Sequence, residues 1–224
     1  MIRKLFTKET LFRLLILLAG LTIAHLGVTI FLLADLGSDP FNVFIQGLYR
    51  TVTSAVDSPV ITHGRVHMVV CFLIILILLF ADRSYVKAGT VVCMFCGGPI
   101  IDFFTLLLQP LFASGLSLWL RIVLNILGCG ILAYGMTIVI KSEAGTGPND
   151  LVAIVLADKL RKKFSVIRVL VDLLLAGAGF LLGGTLGLGT VICAFVVGPV
   201  AGLFLPVNER LVNRVLRKLM HTPI

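Results

Sequence analysis

Two matching segments of the sequence place acidic and amide side chains directly after a run of glycine and proline. The segments are Asp35-Leu-Gly37-Ser-Asp39-Pro40-Phe-Asn42 and Glu143-Ala-Gly145-Thr-Gly147-Pro148-Asn149-Asp150. Because Gly permits a sharp turn and Pro suits the first turn of a helix, each segment predicts a helix start, for short helices over 41–52 and 149–160. Ser38 or Asp39, and Thr146, are placed to cap the exposed amides. The acids act as caps or, if they face a cavity, favour a cationic or zwitterionic solute or a coupled proton.

Further ionisable residues interrupt apolar stretches. Asp172 lies four residues after Arg168, and His67 and Cys71 have the same spacing at the matching place of the first half if the alignment slips by one residue. A charge in mid-bilayer costs at least ~2.5–3.5 kcal/mol, so each such residue needs a reason. Arg168 and Asp172 fit an i,i+4 ion pair near the cytoplasmic end of a helix. A proton relay through Asp172 and His67 is the alternative, and the sequence leaves both open.

These segments and ionisable residues together form the candidate substrate or ion pathway. Its members are Gly37, Asp39, Pro40, Asn42, Gly145, Gly147, Pro148, Asn149, Asp150, His67, Arg168 and Asp172. Enzyme chemistry is not expected, because the sequence has no His-Glu-x2-His motif and no Ser/His/Asp constellation among its four scattered histidines. Cys93-x-x-Cys96 lacks a second pair and lies in an apolar run, so we interpret it as packing. Neither a metal nor a cofactor is predicted.

Composition identifies the setting in which these residues act. The chain of 224 residues is 58% hydrophobic and 13% charged, and its mean hydropathy is +1.10. A soluble domain has about 25% charged residues, so a soluble enzyme and a nucleic-acid-binding module are excluded. The net charge of +8 then indicates membrane topology rather than nucleic-acid binding.

Six stretches are long and apolar enough to cross a bilayer, which needs roughly 20 residues. They cover residues 11–34, 66–81, 88–109, 117–140, 166–183 and 188–206. With both termini in the cytoplasm, 16 of the 19 basic residues lie in or beside the cytoplasmic segments, as the positive-inside rule requires. Beyond the last span, residues 208–220 predict a short interfacial helix, with Leu211, Val215, Leu216 and Leu219 on one face.

The two halves of the chain resemble each other. At an offset of 108, seven residues of the first half are identical with their counterparts in the second. They are Arg13, Gly20, Gly27, Thr29, Ile30, Gly37 and Pro40, which match Arg121, Gly128, Gly135, Thr137, Ile138, Gly145 and Pro148 in that order. At an offset of 100, seven of eleven positions from Gly89 to Pro99 are identical with those from Gly189 to Pro199. Since each half has three spans, an odd number, equivalent elements must cross the membrane in opposite directions.

The predicted fold is therefore an all-α membrane protein with six transmembrane helices in a 3+3 inverted-topology repeat. Each half has one short helix after its Gly/Pro break, either re-entrant or interfacial. Residues 1–110 form the first repeat, 111–206 the second, and 207–224 a basic amphipathic tail. The third and sixth spans contain internal breaks at 97–99 and 198–199.

The segments around Gly37–Asn42, Gly145–Asp150 and Gly187-Leu-Gly-Thr190…Gly198-Pro199 resemble those of the YczE/YitT-like bacterial membrane proteins. The resemblance extends from about residue 10 to 206. It implies a multi-pass plasma-membrane protein and no particular reaction. Asp39 departs from the Gly-x-Gly-Pro form expected at this position.

Function classes follow from the repeat. We expect a secondary transporter or channel-like carrier in a bacterial inner membrane. It would carry a small solute of unknown identity along the interface between the repeats. A substrate-binding subunit of an energy-coupling-factor importer and a membrane scaffold or regulator of a cytosolic partner are the alternatives. The lipid bilayer is the expected partner, with no nucleic acid, and a homodimer is compatible with the sequence.

Overall fold

Eight α-helices build the part of the chain that the computed structural model describes, residues 7–56, 58–112 and 115–221. They are α1 (Lys8–Ala34), α2 (Pro40–Ala55), α3 (His63–Ala81), α4 (Ala88–Phe112), α5 (Leu118–Ser142), α6 (Pro148–Leu160), α7 (Phe164–Leu181) and α8 (Leu188–His221). A 3₁₀ turn at Arg83–Tyr85 joins α3 to α4. No strand occurs within these ranges.

Six of the helices are long and apolar enough to cross a membrane, which confirms the predicted number of spans. They are α1, α3, α4, α5, α7 and α8. Many of their large apolar side chains are exposed, as helices solvated by lipid require, and Leu181 and Phe80 are the extreme cases at 85% and 83%. The two remaining helices, α2 and α6, have 16 and 13 residues. At about 1.5 Å per residue they are shorter than the ~30 Å hydrocarbon core.

Helices α1 and α5 lie at the centre and cross with their backbones in close contact. A Cβ atom on Gly27 would lie 2.5 Å from the carbonyl oxygen of Gly128, and one on Gly135 would lie 2.6 Å from that of Gly20. The later residue of one helix meets the earlier residue of the other, so α1 and α5 are antiparallel. Only glycine allows this approach, which gives the van der Waals contact that holds helices together in lipid.

The third and sixth spans are continuous helices, where the sequence predicts internal breaks. Pro99 and Pro110 lie inside α4, and Pro199 and Pro206 lie inside α8. Neighbouring helices can satisfy the carbonyl groups that a proline leaves free, so a proline in a membrane helix need not end it.

The interfacial helix predicted over 208–220 is the last part of α8 and is not a separate element. Val212 and Leu216 are buried against Ile138 of α5 and Phe12 and Ile16 of α1. Leu211 and Leu219, expected on the same apolar face, are exposed. Tertiary packing therefore determines which side of this helix is buried.

Candidate functional site

The start of α2 combines a capping carboxylate with a buried amide. Asp39 Oδ1 accepts a hydrogen bond from the backbone N–H of Asn42 at 3.3 Å, and Asp39 Oδ2 accepts one from Asn42 Nδ2 at 2.7 Å. Pro40 is the first residue of the helix. Asn42 is 5% exposed, and its Oδ1 has no hydrogen-bond partner among the described residues. Of the two caps that the sequence predicts here, Ser38 and Asp39, the structure has Asp39.

Burial raises the pKa of the Asp39 carboxyl above its ordinary value of 3.8. The hydrogen bonds from Asn42 and the positive charge of Arg168 act in the opposite direction, while the negative charge of Asp172 raises the pKa further. The Asp39 side chain therefore lies within electrostatic range of two charged residues of α7, although no ion pair holds it within the described part of the chain.

The start of α6 is held by an ion pair and not by a capping side chain. Gly147 occupies the capping position, so the prediction that Thr146 caps the helix is wrong. Pro148 begins the helix, and the half-buried Asn149 lies beside Gly147. In the same turn, Asp150 Oδ1 accepts a hydrogen bond from Arg168 Nη1 at 2.5 Å.

Arg168 binds two carboxylates at once. Its Nε donates to Asp172 Oδ2 at 3.0 Å, which confirms the predicted i,i+4 pair, while its Nη1 holds Asp150. The side chains of Arg168, Asp150 and Asp172 are 31%, 25% and 27% exposed. The second bond, between α6 and α7, connects positions 18 residues apart.

Helices α2 and α6 approach α7 from opposite ends. The later part of α2 meets the end of α7, because Thr51 Oγ1 donates to the Leu182 carbonyl at 3.0 Å. The later part of α6 meets the beginning of α7, where Ala157 packs with Ile167. Both helix starts therefore point towards the first half of α7, where Asp150 binds Arg168 and where Asp39 interacts with Arg168 and Asp172. We call Asp39, Asn42, Asp150, Arg168 and Asp172 the central polar cluster.

His67 lies in a different environment from Asp172. It is buried, with its ring centroid 5.7 Å from that of His25 and 5.5 Å from that of Phe41, and both histidine rings pack on Gly97. Its ring nitrogens lie 3.8 and 3.9 Å from the Sγ of Cys71. No hydrogen bond joins His67 to Asp172 in the described residues, so the proposed relay has no direct link. The contact with His25 had no signal in the sequence, since His25 is 42 positions away and its repeat counterpart is Ala133.

Gly37 and Gly145 occupy equivalent crossings between the halves. Both have positive φ, +102° and +151°, a region that favours glycine. Next to Gly37, the Leu36 carbonyl accepts a hydrogen bond from Gly189 N at 2.7 Å. Next to Gly145, the Ala144 carbonyl accepts one from Gly89 N at 3.0 Å. Ala144 is the counterpart of Leu36 at the offset of 108, and Gly189 is the counterpart of Gly89 at the offset of 100. The same backbone atoms therefore form the bond in both places.

Two arginines make a second pair of corresponding contacts. Arg13 Nη1 donates to the Ser142 carbonyl at 3.1 Å and forms an ion pair with Glu143. Arg121 Nε donates to the carbonyl of Ala34 at 2.6 Å and its Nη2 forms an ion pair with Asp35. Each guanidinium thus binds the free carbonyl end of the antiparallel partner helix, which the helix dipole favours.

The halves differ where the third helix of each meets the fourth. Gly64 of α3 packs directly on Gly98 of α4, and Asp102 accepts hydrogen bonds from Gly64 N at 2.9 Å and Thr62 Oγ1 at 2.5 Å. The counterparts of Gly98 and Asp102 are Gly198 and Gly202, where a Cβ atom would find nothing within 4 Å. Helix α3 is therefore closed against α4, whereas this face of α8 is open.

Comparison with known proteins gives one family match. The profile of the family of unknown function DUF6198 matches residues 11–206, which includes the central polar cluster and five of the six long helices but for the first turn of α1, and it ends within α8, before residues 207–221.

Individual relatives are similar over most of their length. The "Uncharacterized membrane protein YczE" of Bacillus subtilis (strain 168) is 26% identical over 196 residues, covering 87% of this chain and 86% of that protein. An "Uncharacterized protein" of Haemophilus influenzae is 26% identical, covering 88% and 84%. "Uncharacterized protein YyaS" of B. subtilis is 22% identical, covering 85% and 91%. No solved structure matches.

Proposed function

Since the chain belongs to the DUF6198 family of membrane proteins related to YczE, we propose from its own geometry that it carries a small solute across a bacterial inner membrane. The observation that carries the proposal is the approach of two short helices, α2 and α6, to the first half of α7 from opposite ends. Their starts and α7 contribute the central polar cluster. Such half-length helices with N-termini at the bilayer midplane form the binding sites of many carriers.

The cost of burying charge supports a water-lined site. Three carboxylates and one guanidinium lie at the first half of an 18-residue apolar helix, with a quarter to a third of the Asp150, Arg168 and Asp172 side chains exposed. Charges exposed to lipid at this depth are strongly disfavoured. Irregular backbone such as residues 36–39 and 144–147 is tolerated there only if it is buried in protein or lines a wet cavity. We therefore propose that α2 and α6 are re-entrant.

Corresponding contacts support the 3+3 inverted repeat. The antiparallel crossing of α1 and α5, the Gly189–Leu36 and Gly89–Ala144 hydrogen bonds, and the two arginine contacts all relate one half to the other. An approximate two-fold axis between α1 and α5 accounts for all three. In this proposal the axis lies in the membrane plane, the pathway crosses the membrane along the interface between the repeats, and both termini lie in the cytoplasm.

The difference between the halves supports alternating access. In the first half α3 is closed on α4 through Gly64, Gly98 and Asp102, and in the second half α8 is open at Gly198 and Gly202. If equivalent halves can adopt both arrangements, exchanging them gives the opposite state, with α7 closed on α8 and α3 parted from α4. The central polar cluster would then be reached from the other side of the membrane.

Disulfide cross-linking in a variant otherwise free of cysteine tests this exchange. Thr62→Cys with Asp102→Cys joins side chains that are in contact, so it should cross-link readily and hold the state described here. Ser165→Cys with Gly202→Cys is the second-half counterpart of the contact between Gly64 and Asp102, at offsets of 101 and 100. Both positions are exposed here, so this pair should cross-link only in the opposite state.

The native pair Cys129 and Cys193, with sulfurs 2.8 Å apart between α5 and α8, provides a control that should cross-link in either state when restored alone. Either engineered cross-link should stop solute exchange by proteoliposomes, and reduction should restore it. Failure of the second pair to cross-link, when the control pair does, contradicts alternating access. Exchange that continues in the locked protein favours a channel-like path instead.

A further inference from the structure

The central polar cluster carries more negative than positive charge. Asp39, Asp150 and Asp172 face a single guanidinium, that of Arg168, which leaves a formal excess of two negative charges. The N-termini of α2 and α6 each contribute about half a positive charge. About one negative charge is left without compensation, and Asp39 is the carboxylate that Arg168 does not bind.

The polar atoms at the start of α2 are acceptors. Asn42 uses its backbone N–H and its Nδ2 on Asp39, and this second bond fixes the amide so that Oδ1 is the remaining polar atom. That oxygen is buried and has no donor in the residues the structure describes. It belongs to the same amide group whose nitrogen contacts the carboxylate, so both acceptors lie at the start of α2. A buried carbonyl oxygen without a donor is costly, and a cation or an N–H group relieves that cost.

We infer, on the basis of the proposed carrier function, that Asp39 and Asn42 bind one monovalent cation, an alkali metal ion or a primary ammonium group, in competition with a proton on Asp39. Oxygen ligands from a carboxylate and an amide suit both kinds of cation. A proton satisfies the carboxylate when the cation is absent. The cation then displaces this proton, so that one positive charge replaces another and the charge of the site is conserved.

The surroundings of Asp39 are consistent with such an exchange. The charged and titratable groups come from three other helices: Arg168 and Asp172 of α7, Asp150 of α6 through its bond to Arg168, and Cys193 of α8. The pKa of Asp39 is raised by burial, which favours the protonated form in the empty site. Arg168 opposes this effect and keeps the carboxylate able to ionise.

Thermal unfolding of the full chain in detergent tests the inference. At constant ionic strength and pH 8, NaCl, KCl and methylammonium chloride are each compared with choline chloride, whose bulky quaternary group offers no N–H. At least one of the three cations should raise the Tm, and which one responds separates a metal ion from an ammonium group. Its apparent Kd should weaken tenfold for each pH unit below the Asp39 pKa, as competition with one proton requires.

Asp39→Asn keeps a side chain that caps helices well and should abolish both the shift and its pH dependence. Asp82→Asn, which neutralises a capping carboxylate at the 3₁₀ turn, is the matched control and should leave both unchanged. Titration calorimetry of the wild type in two buffers of different ionisation enthalpy should show about one proton released per cation bound, whether or not Asp39→Asn folds.

Two results overturn the inference: no response to any cation by a protein that melts cooperatively, or an undiminished response in Asp39→Asn. Its failure is distinct from that of the carrier proposal. Solute exchange without a cation effect removes the cation site and leaves the carrier. A cation effect lost in Asp39→Asn, with no exchange of solute, establishes the site in a protein that is not a carrier.

Discussion

Replacing Arg168 with alanine tests the centre of the proposed site most directly. The substitution removes two charge-assisted hydrogen bonds, to Asp150 at 2.5 Å and to Asp172 at 3.0 Å. Such bonds contribute about 1.5–3 kcal/mol each when buried. Because these side chains are 25–31% exposed, we take the lower end for each bond, so the expected loss is about 3 kcal/mol in the free energy of unfolding.

Companion variants separate charge from geometry. Arg168→Lys keeps the charge but cannot donate from two fixed nitrogens, so it should lose about half as much. Adding Asp150→Asn to Arg168→Ala removes one uncompensated carboxylate and should recover about 1 kcal/mol. Unfolding in dodecyl maltoside micelles titrated with SDS, followed by circular dichroism, measures each value. If Arg168→Ala is as stable as the wild type, or Asp150→Asn gives no recovery in its background, the ion pairs do not organise the site.

Three further outcomes are expected from the same unfolding assay. Gly27→Ala places a methyl group 2.5 Å from backbone atoms of α5 and should lower the free energy of unfolding by about 1–3 kcal/mol. Gly130→Ala, with open space around it, should be neutral or stabilising. Equal effects of the two substitutions would contradict the close crossing. Arg121→Ala should cost about 1 kcal/mol, as should Arg13→Ala at the equivalent position, and a cost at only one of them would argue against equivalent roles. Burial raises the Asp39 pKa, so the native state binds this proton more tightly than the unfolded chain does. The free energy of unfolding should therefore fall as the pH rises from 3.8 through the folded pKa. Asp39→Asn should remove that fall.

The number of spans could be predicted because lipid makes composition decisive. An apolar run of 20 residues has few alternatives to a membrane helix, and α1, α4 and α5 begin and end within three residues of the prediction. The starts of α2 and α6 were predicted within one residue, since Pro40 and Pro148 fix the first turn. These signals are local in sequence.

Contacts between distant elements could not be predicted in the same way. The bond between Arg168 and Asp150 depends on how α6 turns back against α7, and only the i,i+4 partner Asp172 could be recognised from spacing. His67 meets His25 because both rings pack on Gly97 of α4, and it meets Phe41 of α2 separately. The end of α8 was misassigned because Val212 and Leu216 have an apolar surface of α1 and α5 to cover, which hydropathy alone does not reveal.

The crossing of α1 and α5 has a consequence for how such a chain could arise. Gly20 meets Gly135 while Gly27 meets Gly128, the reciprocal pattern of an isologous interface. Two unlinked copies of one half could form it only by lying in the bilayer in opposite orientations. If the halves form the proposed inverted repeat, an ancestral half needed to insert both ways, with little difference in Lys and Arg content between its ends. Covalent linkage removes this constraint, because each half can then evolve its own charge bias and hold one fixed orientation.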